Sequence, residues 1–95
     1  MSGPREKITV VGLPEQFSVL GGTYVAESPS VYKHVAYKAT MLRNRGHWRL
    51  TVPSSGTVAR TPIQDDSPIP PSSGAWEVWS LVEERWHPSN TIVVS

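Results

Sequence analysis

The side chains in this sequence best suited to chemistry are three histidines, His34, His47 and His87, two carboxylate pairs, Asp65 with Asp66 and Glu83 with Glu84, and many serines; there is no cysteine. Histidine ligates metals or works as a general base, but a compact metal site needs its ligands closely spaced, as in a His-x-x-x-His pair. These three lie thirteen and forty residues apart, the spacing of ordinary strand residues, and no metal or cofactor is expected. No serine sits in a Gly-x-Ser-x-Gly elbow, the strained turn that exposes a nucleophile. Acid–base work by two carboxylates needs them to face one another across a gap of about 5 to 9 Å, whereas neighbours in sequence turn to solvent. Gly21-Gly22 lacks the following Lys-Ser/Thr and helix of a phosphate loop. The expectation is a non-catalytic chain.

What remains is charge and tryptophan. The net charge is only +1, yet from Ser28 to Gln64 the chain carries no acid and six bases (Lys33, Lys38, Arg43, Arg45, Arg49 and Arg60), a local charge of +6. From Asp65 to His87 the balance is −4, with Asp65, Asp66, Glu77, Glu83 and Glu84 against Arg85. Four tryptophans is dense for 95 residues. Trp48 and Trp76 alternate with aliphatic neighbours and read as core. Trp79 points to the opposite face of its strand from Trp76, and Trp86 follows a charged turn, so one of them is expected at the surface as an interface anchor. The predicted partner-binding set is Lys33, Lys38, Arg43, Arg45 and Arg49 on a basic hairpin, with Trp79 or Trp86 as the apolar anchor. Its expected partner is a protein with an acidic surface. Cations interleaved with Tyr37 and Trp48 also suit a nucleic-acid backbone, although no RNA- or DNA-binding signature is present, and an exposed tryptophan also suits a sugar.

The elements that must position these residues are strands. Twelve Val, seven Thr and eight aromatics against five Leu, cut every few residues by nine Pro and seven Gly, leave no window with helical periodicity. Lys7 to Val11, Thr23 to Ala26, Val31 to about Tyr37 and a hairpin from Ala39 to Val52, turning at Asn44-Arg45-Gly46-His47, read as strands. So do Ala75 to Val82 and Thr91 to Val94. Thr57 to Thr61 suits a short edge strand, and Val82 to Trp86 suits either a hairpin connection or a helical turn. The first and last strands are apolar on both faces and are expected to be interior and paired. The predicted fold is all-β, a small antiparallel sandwich or partly open barrel of six to seven short strands. It occupies residues 7–95 as one domain, after a flexible N-terminus at 1–6. Residues 62–73, with four prolines, cannot form a central strand and are expected to be a surface loop, where Ser67-Pro68-Ile69-Pro70-Pro71 offers a weak polyproline ligand or a modifiable Ser-Pro. No apolar run approaches the roughly 18 residues of a membrane-spanning helix, and the polar start is unlike a signal peptide, so the expected address is intracellular, in the cytoplasm, with no membrane contact.

The order of short signals, Ile8-Thr9-Val10-Val11-Gly12, Gly22-Thr23-Tyr24, Val31-Tyr32-Lys33, Trp48, Pro70-Pro71 and Gly74-Ala75-Trp76-Glu77-Val78, resembles a β-rich repeat-type module of large multi-domain proteins from unicellular eukaryotes. Gly21 stands where that pattern has Asn, and Ser30 where it has Pro. The resemblance implies a compact β-module without catalytic activity or cofactor, in which the glycines make turns and Tyr24, Tyr32, Trp48 and Trp76 fill the core.

Overall fold

The structure is a computed structural model, which describes residues 6–28, 30–54, 56–61, 70, 76–89 and 91–95. Strand β1 (Lys7–Val11) buries Ile8 and Val10 and turns Lys7 and Val11 outward, the period-two alternation of a strand with one face on a core. The same alternation sets β2 (Gly22–Ser28), β3 (Val31–His34), β4 (Thr40–Asn44) and β5 (His47–Val52), whose inward residues include Tyr24, Tyr32, Met41, Trp48 and Leu50. β6 (Gly56–Arg60), β7 (Trp76–Ser80), β8 (Arg85–Ser89) and β9 (Val93–Val94) complete one antiparallel sheet in the order β8-β7-β6-β5-β4-β3-β2-β1-β9. The all-β architecture matches the sequence expectation, with nine strands among the described residues rather than six or seven.

Chain connectivity forces this sheet to curl. Laid flat, nine strands at about 4.8 Å spacing would put β8 and β9 about 38 Å apart, yet four residue steps join Ser89 to Val93, a reach of about 14 Å at most. The sheet therefore bends round its buried face into a half-barrel open between β8 and β9. The link from β8 to β9 is tied to the end of β1 by the Thr91 hydroxyl, which donates to the Gly12 carbonyl at 2.6 Å. β9 pairs with β1 as expected, Val10 opposite Val94 and Val11 opposite Val93, and mutual Thr9–Ser95 backbone bonds of 2.9 Å extend the ladder. β1 is interior, but β9 is an edge strand of the hydrogen-bonded order, a correction to the expectation that both are interior. Curling, not a further strand, is what buries Ile92 and Val94.

Other departures have local causes. After Gly12 the chain forms a 3-10 helix, Glu15–Leu20, where the sequence shows only a connection; it buries Phe17 and Leu20, and the Tyr24 hydroxyl donates to the Leu20 carbonyl at 2.5 Å. The third strand stops at His34, not near Tyr37, because His34 Nδ1 accepts the amides of Ala36 (2.9 Å) and Tyr37 (3.1 Å) and folds the chain into a bend. β6 is not an edge: it lies between β5 and β7, and a register shift opposite Leu50 and Thr51 lets both Val58 and Ala59 be buried. β8 extends where no strand was expected, and its Pro88 is tolerated because β8 is an edge. The β4–β5 turn is as predicted, Arg45 and Gly46 both having positive φ (54° and 78°), the type I′ geometry that matches strand twist. The β7–β8 turn combines both sequence readings, since the Glu84 amide bonds the Ser80 carbonyl at 2.8 Å as in one helical turn, within a hairpin. Of the expected 62–73 loop only Pro70, which is buried, belongs to the described residues, so Ser67-Pro68 lies outside them, as do residues 1–5 of the expected flexible N-terminus.

Candidate functional site

The outward face of β5–β8 carries the densest set of reactive side chains. On β5, inward Trp48 and Leu50 leave His47 and Arg49 pointing out. On β6, the register shift restores parity so that Arg60 emerges directly opposite Arg49, and on its other side Arg60 faces Glu77 of β7. One step along β7, Trp79 sits opposite Trp86 of β8.

These contacts form a connected arrangement. Arg60 Nε donates to Glu77 Oε1 at 3.0 Å, and the Arg60 guanidinium carbon lies 4.0 Å from the centroid of the Trp86 ring. Trp86 meets Trp79 edge to face, centroids 5.4 Å apart and planes at 68°. An exposed cation–π contact contributes about 0.5–1 kcal/mol, an aromatic pair about 0.5–1.5 and a partly exposed ion pair about 1 or less. The sum is modest, but each contact restricts the same guanidinium. Arg49 is exposed, and among the described residues it has no hydrogen-bond or ionic partner.

Beside the arginines, His47 Nδ1 lies 2.8 Å from the Thr61 carbonyl. A carbonyl only accepts, so Nδ1 carries the proton and donates, and Nε2 is left as the ring's second polar atom. Thr61 is itself fixed: its amide donates to the Trp48 carbonyl at 3.0 Å and its hydroxyl accepts the Trp48 amide at 2.9 Å. His47, Arg49, Arg60 and Thr61 line a shallow concavity of about 290 Å³.

The predicted basic hairpin does not form one surface. Lys33 faces outward on β3 but pairs with Glu27 at 3.0 Å. Lys38 lies in the bend after β3, where it lines a separate, apolar pocket of about 270 Å³ with Leu20, Tyr37, Val52 and Pro53. Arg45 stands at the hairpin tip. Arg43 is opposite Trp48 and 6.0 Å from its ring centroid, so it belongs to the inward face. Of the predicted residues, Arg49, Trp79 and Trp86 are brought together; at least one of these tryptophans was expected at the surface, and both face outward half-buried.

His47, Arg60 and Glu77 are the members sequence reasoning missed. The histidines do three different structural tasks. His34 Nε2 donates to the Gly21 carbonyl at 2.9 Å, and its ring packs edge-on against Tyr24 and Tyr37. His87 Nε2 lies 2.6 Å from Glu83 Oε2, and His47 braces Thr61. No group of three histidines or carboxylates able to hold a metal ion occurs among the described residues. No described helix is long and apolar enough to cross a membrane. The chain matches no family model, no curated protein and no solved structure.

Proposed function

We propose that this chain is a non-catalytic interaction module, a unit of the repeat type its sequence resembles, which binds an acidic protein segment on the outward face of β5–β8. The observation that carries the reading is the Arg49–Arg60 cross-strand pair beside the half-buried, outward-facing Trp79–Trp86 pair. Like charges directly opposite each other destabilise a sheet, and a large aromatic pair held at the solvent face forgoes burial in the core. Both features are unfavourable in the free domain, and both become favourable when an acidic, partly apolar segment covers them. Arg49 and Arg60 supply attraction, Glu77 and Trp86 hold Arg60 in place, and Trp79 with Trp86 supplies apolar anchorage. Against a nucleic-acid backbone stand the acids on the same surface, Glu77 within the patch and Glu83 and Glu84 at the adjoining turn, which break any continuous basic track.

The test is calorimetric titration with a glutamate-rich decapeptide containing one Leu, and with a twelve-nucleotide single strand, at low and moderate salt. The decapeptide is expected to bind in a salt-sensitive way, to lose at least tenfold in affinity on Arg49→Glu, and to be nearly unaffected by Arg43→Glu with Arg45→Glu. Tighter binding of the oligonucleotide, or sensitivity to the hairpin pair alone, would refute the reading.

A further inference from the structure

The concavity beside the tryptophan pair brings two guanidinium forks and an oriented imidazole together. Arg60 is oriented before any ligand arrives: Glu77 holds its Nε at 3.0 Å, and its flat face rests on Trp86 at 4.0 Å. Those contacts leave its two terminal nitrogens, the prongs of the guanidinium fork, without a partner among the described residues. Arg49, its cross-strand neighbour, brings a second complete fork. His47 is locked by Nδ1 on the Thr61 carbonyl at 2.8 Å, so its ring orientation does not have to be set by a ligand. All three side chains line the same 290 Å³ concavity.

We infer that this concavity is a site for a phosphate monoester, a phosphoserine or phosphothreonine on the acidic partner segment. The inference rests on the interaction reading above and narrows it. A carboxylate is planar, carries a single negative charge, and gives one bidentate guanidinium an in-plane lone pair on each of its two oxygens. Two forks approaching from neighbouring strands would have to share that one charge, the second meeting only the remaining in-plane lone pairs. A phosphomonoester has three terminal oxygens arranged tetrahedrally and a charge of about −1.5 to −2 at neutral pH, so it can face both guanidiniums at once. An anion of that charge also converts the Arg49–Arg60 repulsion into two attractions, which a single negative charge does less completely beside Glu77. A phosphodiester chain fits less well, because it has one charge per phosphate and needs cations repeated along a path. From Arg60 the path runs into Glu77 on one side, and past Arg49 it meets the apolar Leu42 of β4. The tryptophan pair beside Arg60 then takes an apolar residue near the phosphorylated one, the second half of the recognition.

The experiment is an NMR titration of the ¹⁵N-labelled domain, reading backbone amides, arginine Nε–H and indole N–H signals. Three versions of one Leu-containing hexapeptide carry phosphoserine, glutamate or serine at the same position, and inorganic phosphate is the minimal probe. The phosphoserine peptide is expected to bind at least about tenfold more tightly than the glutamate peptide, with shifts at His47, Arg49, Arg60 and Thr61. Inorganic phosphate is expected to move the same arginine signals at millimolar concentration. Arg60→Lys keeps the charge but removes the fork; it should abolish most of the preference for phosphoserine while the domain stays folded, and Arg49→Ala should do the same. Equal affinity for the phosphoserine and glutamate peptides at this face overturns the phosphate inference and leaves the acidic-segment reading standing. Failure of both peptides, together with failure of the glutamate-rich decapeptide, overturns both.

Discussion

The closure of the half-barrel makes Gly12 the position where one methyl group should do most damage. A β-carbon at Gly12 would lie 1.7 Å from the Thr91 carbonyl oxygen and 2.5 Å from its carbonyl carbon, both backbone atoms, so one of the two chains must move by more than 1 Å. The same residue has φ of +81°, which costs a non-glycine residue about 1–2 kcal/mol. Movement there also breaks the Thr91 hydroxyl bond to the Gly12 carbonyl, about 1 kcal/mol, and loosens Ile92 and Val94 from the core. Gly12→Ala is therefore expected to cost about 3–5 kcal/mol, a large part of the roughly 5–14 kcal/mol available to a chain of this length. Gly56 provides the internal reference, with φ of +73° and nothing within 4 Å of its β-carbon position. Gly56→Ala should show the conformational penalty alone, about 1–2 kcal/mol. Urea unfolding of the two variants and wild type, with hydrogen exchange at the Thr9 and Ser95 amides, separates the effects: Gly12→Ala should be the weaker protein by at least about 2 kcal/mol and lose protection at those amides. Equal stability of the two variants would refute the claim that close approach at Gly12 packs the β8–β9 link against the end of β1.

Arg49→Glu replaces a like-charge pair with an opposite-charge one, so it should raise stability by about 0.5 kcal/mol at low salt, or a few degrees in Tm, while binding falls; thermal melts at two salt concentrations check this, and a lower Tm at low salt would contradict it. Burial raises the Tyr24 hydroxyl well above its ordinary value of 10.0, so the neutral form is favoured in the folded state. The associated stability is complete below pH 10 and is lost above it, at about 1.4 kcal/mol per pH unit for one group. Tyr24→Phe should flatten that alkaline limb in urea titrations while lowering neutral-pH stability by about 1–2 kcal/mol through the stranded Leu20 carbonyl. His34→Ala frees two amides and the Gly21 carbonyl together, so about 2 kcal/mol or more should be lost with faster exchange at Ala36 and Tyr37; unchanged exchange there would show that the ring does not organise the bend.

The elements legible in the sequence were those whose signal is local. The strand over Lys7–Val11, the alternation in His47–Val52 and the Asn-Arg-Gly turn between β4 and β5 follow from side-chain type, side-chain period and positive φ, and the structure has them where expected. The sequence also showed Trp48 and Trp76 as core. What it hid was non-local. The neighbour of Arg60 depends on a register shift between β5 and β6 that no residue type announces. The basic run looked like one surface because charge was summed along the chain, whereas alternate residues of a strand face opposite ways: Arg43 goes in with Trp48 while Arg49 goes out. The Trp79–Trp86 pair was recoverable. Once Leu81 to Glu84 are taken as a four-residue hairpin turn, Ser80 must oppose Arg85 and Trp79 must oppose Trp86; Pro88 masks the strand, because proline argues against one everywhere except at an edge. The 3-10 helix was hidden because six residues are too few to show a period.

Charge reversal at two places on one sheet tests the account most directly. Affinity for the glutamate-rich decapeptide is measured for wild type, for Arg49→Glu with Arg60→Glu, and for Lys33→Glu with Arg45→Glu, each checked for folding by circular dichroism. The outward β5–β8 face predicts that only the first pair abolishes binding, and that the quenching of tryptophan emission on binding disappears with it. Equal losses from both pairs would mean that net charge, not this face, attracts the partner, and binding that survives Arg49→Glu with Arg60→Glu would contradict the account outright.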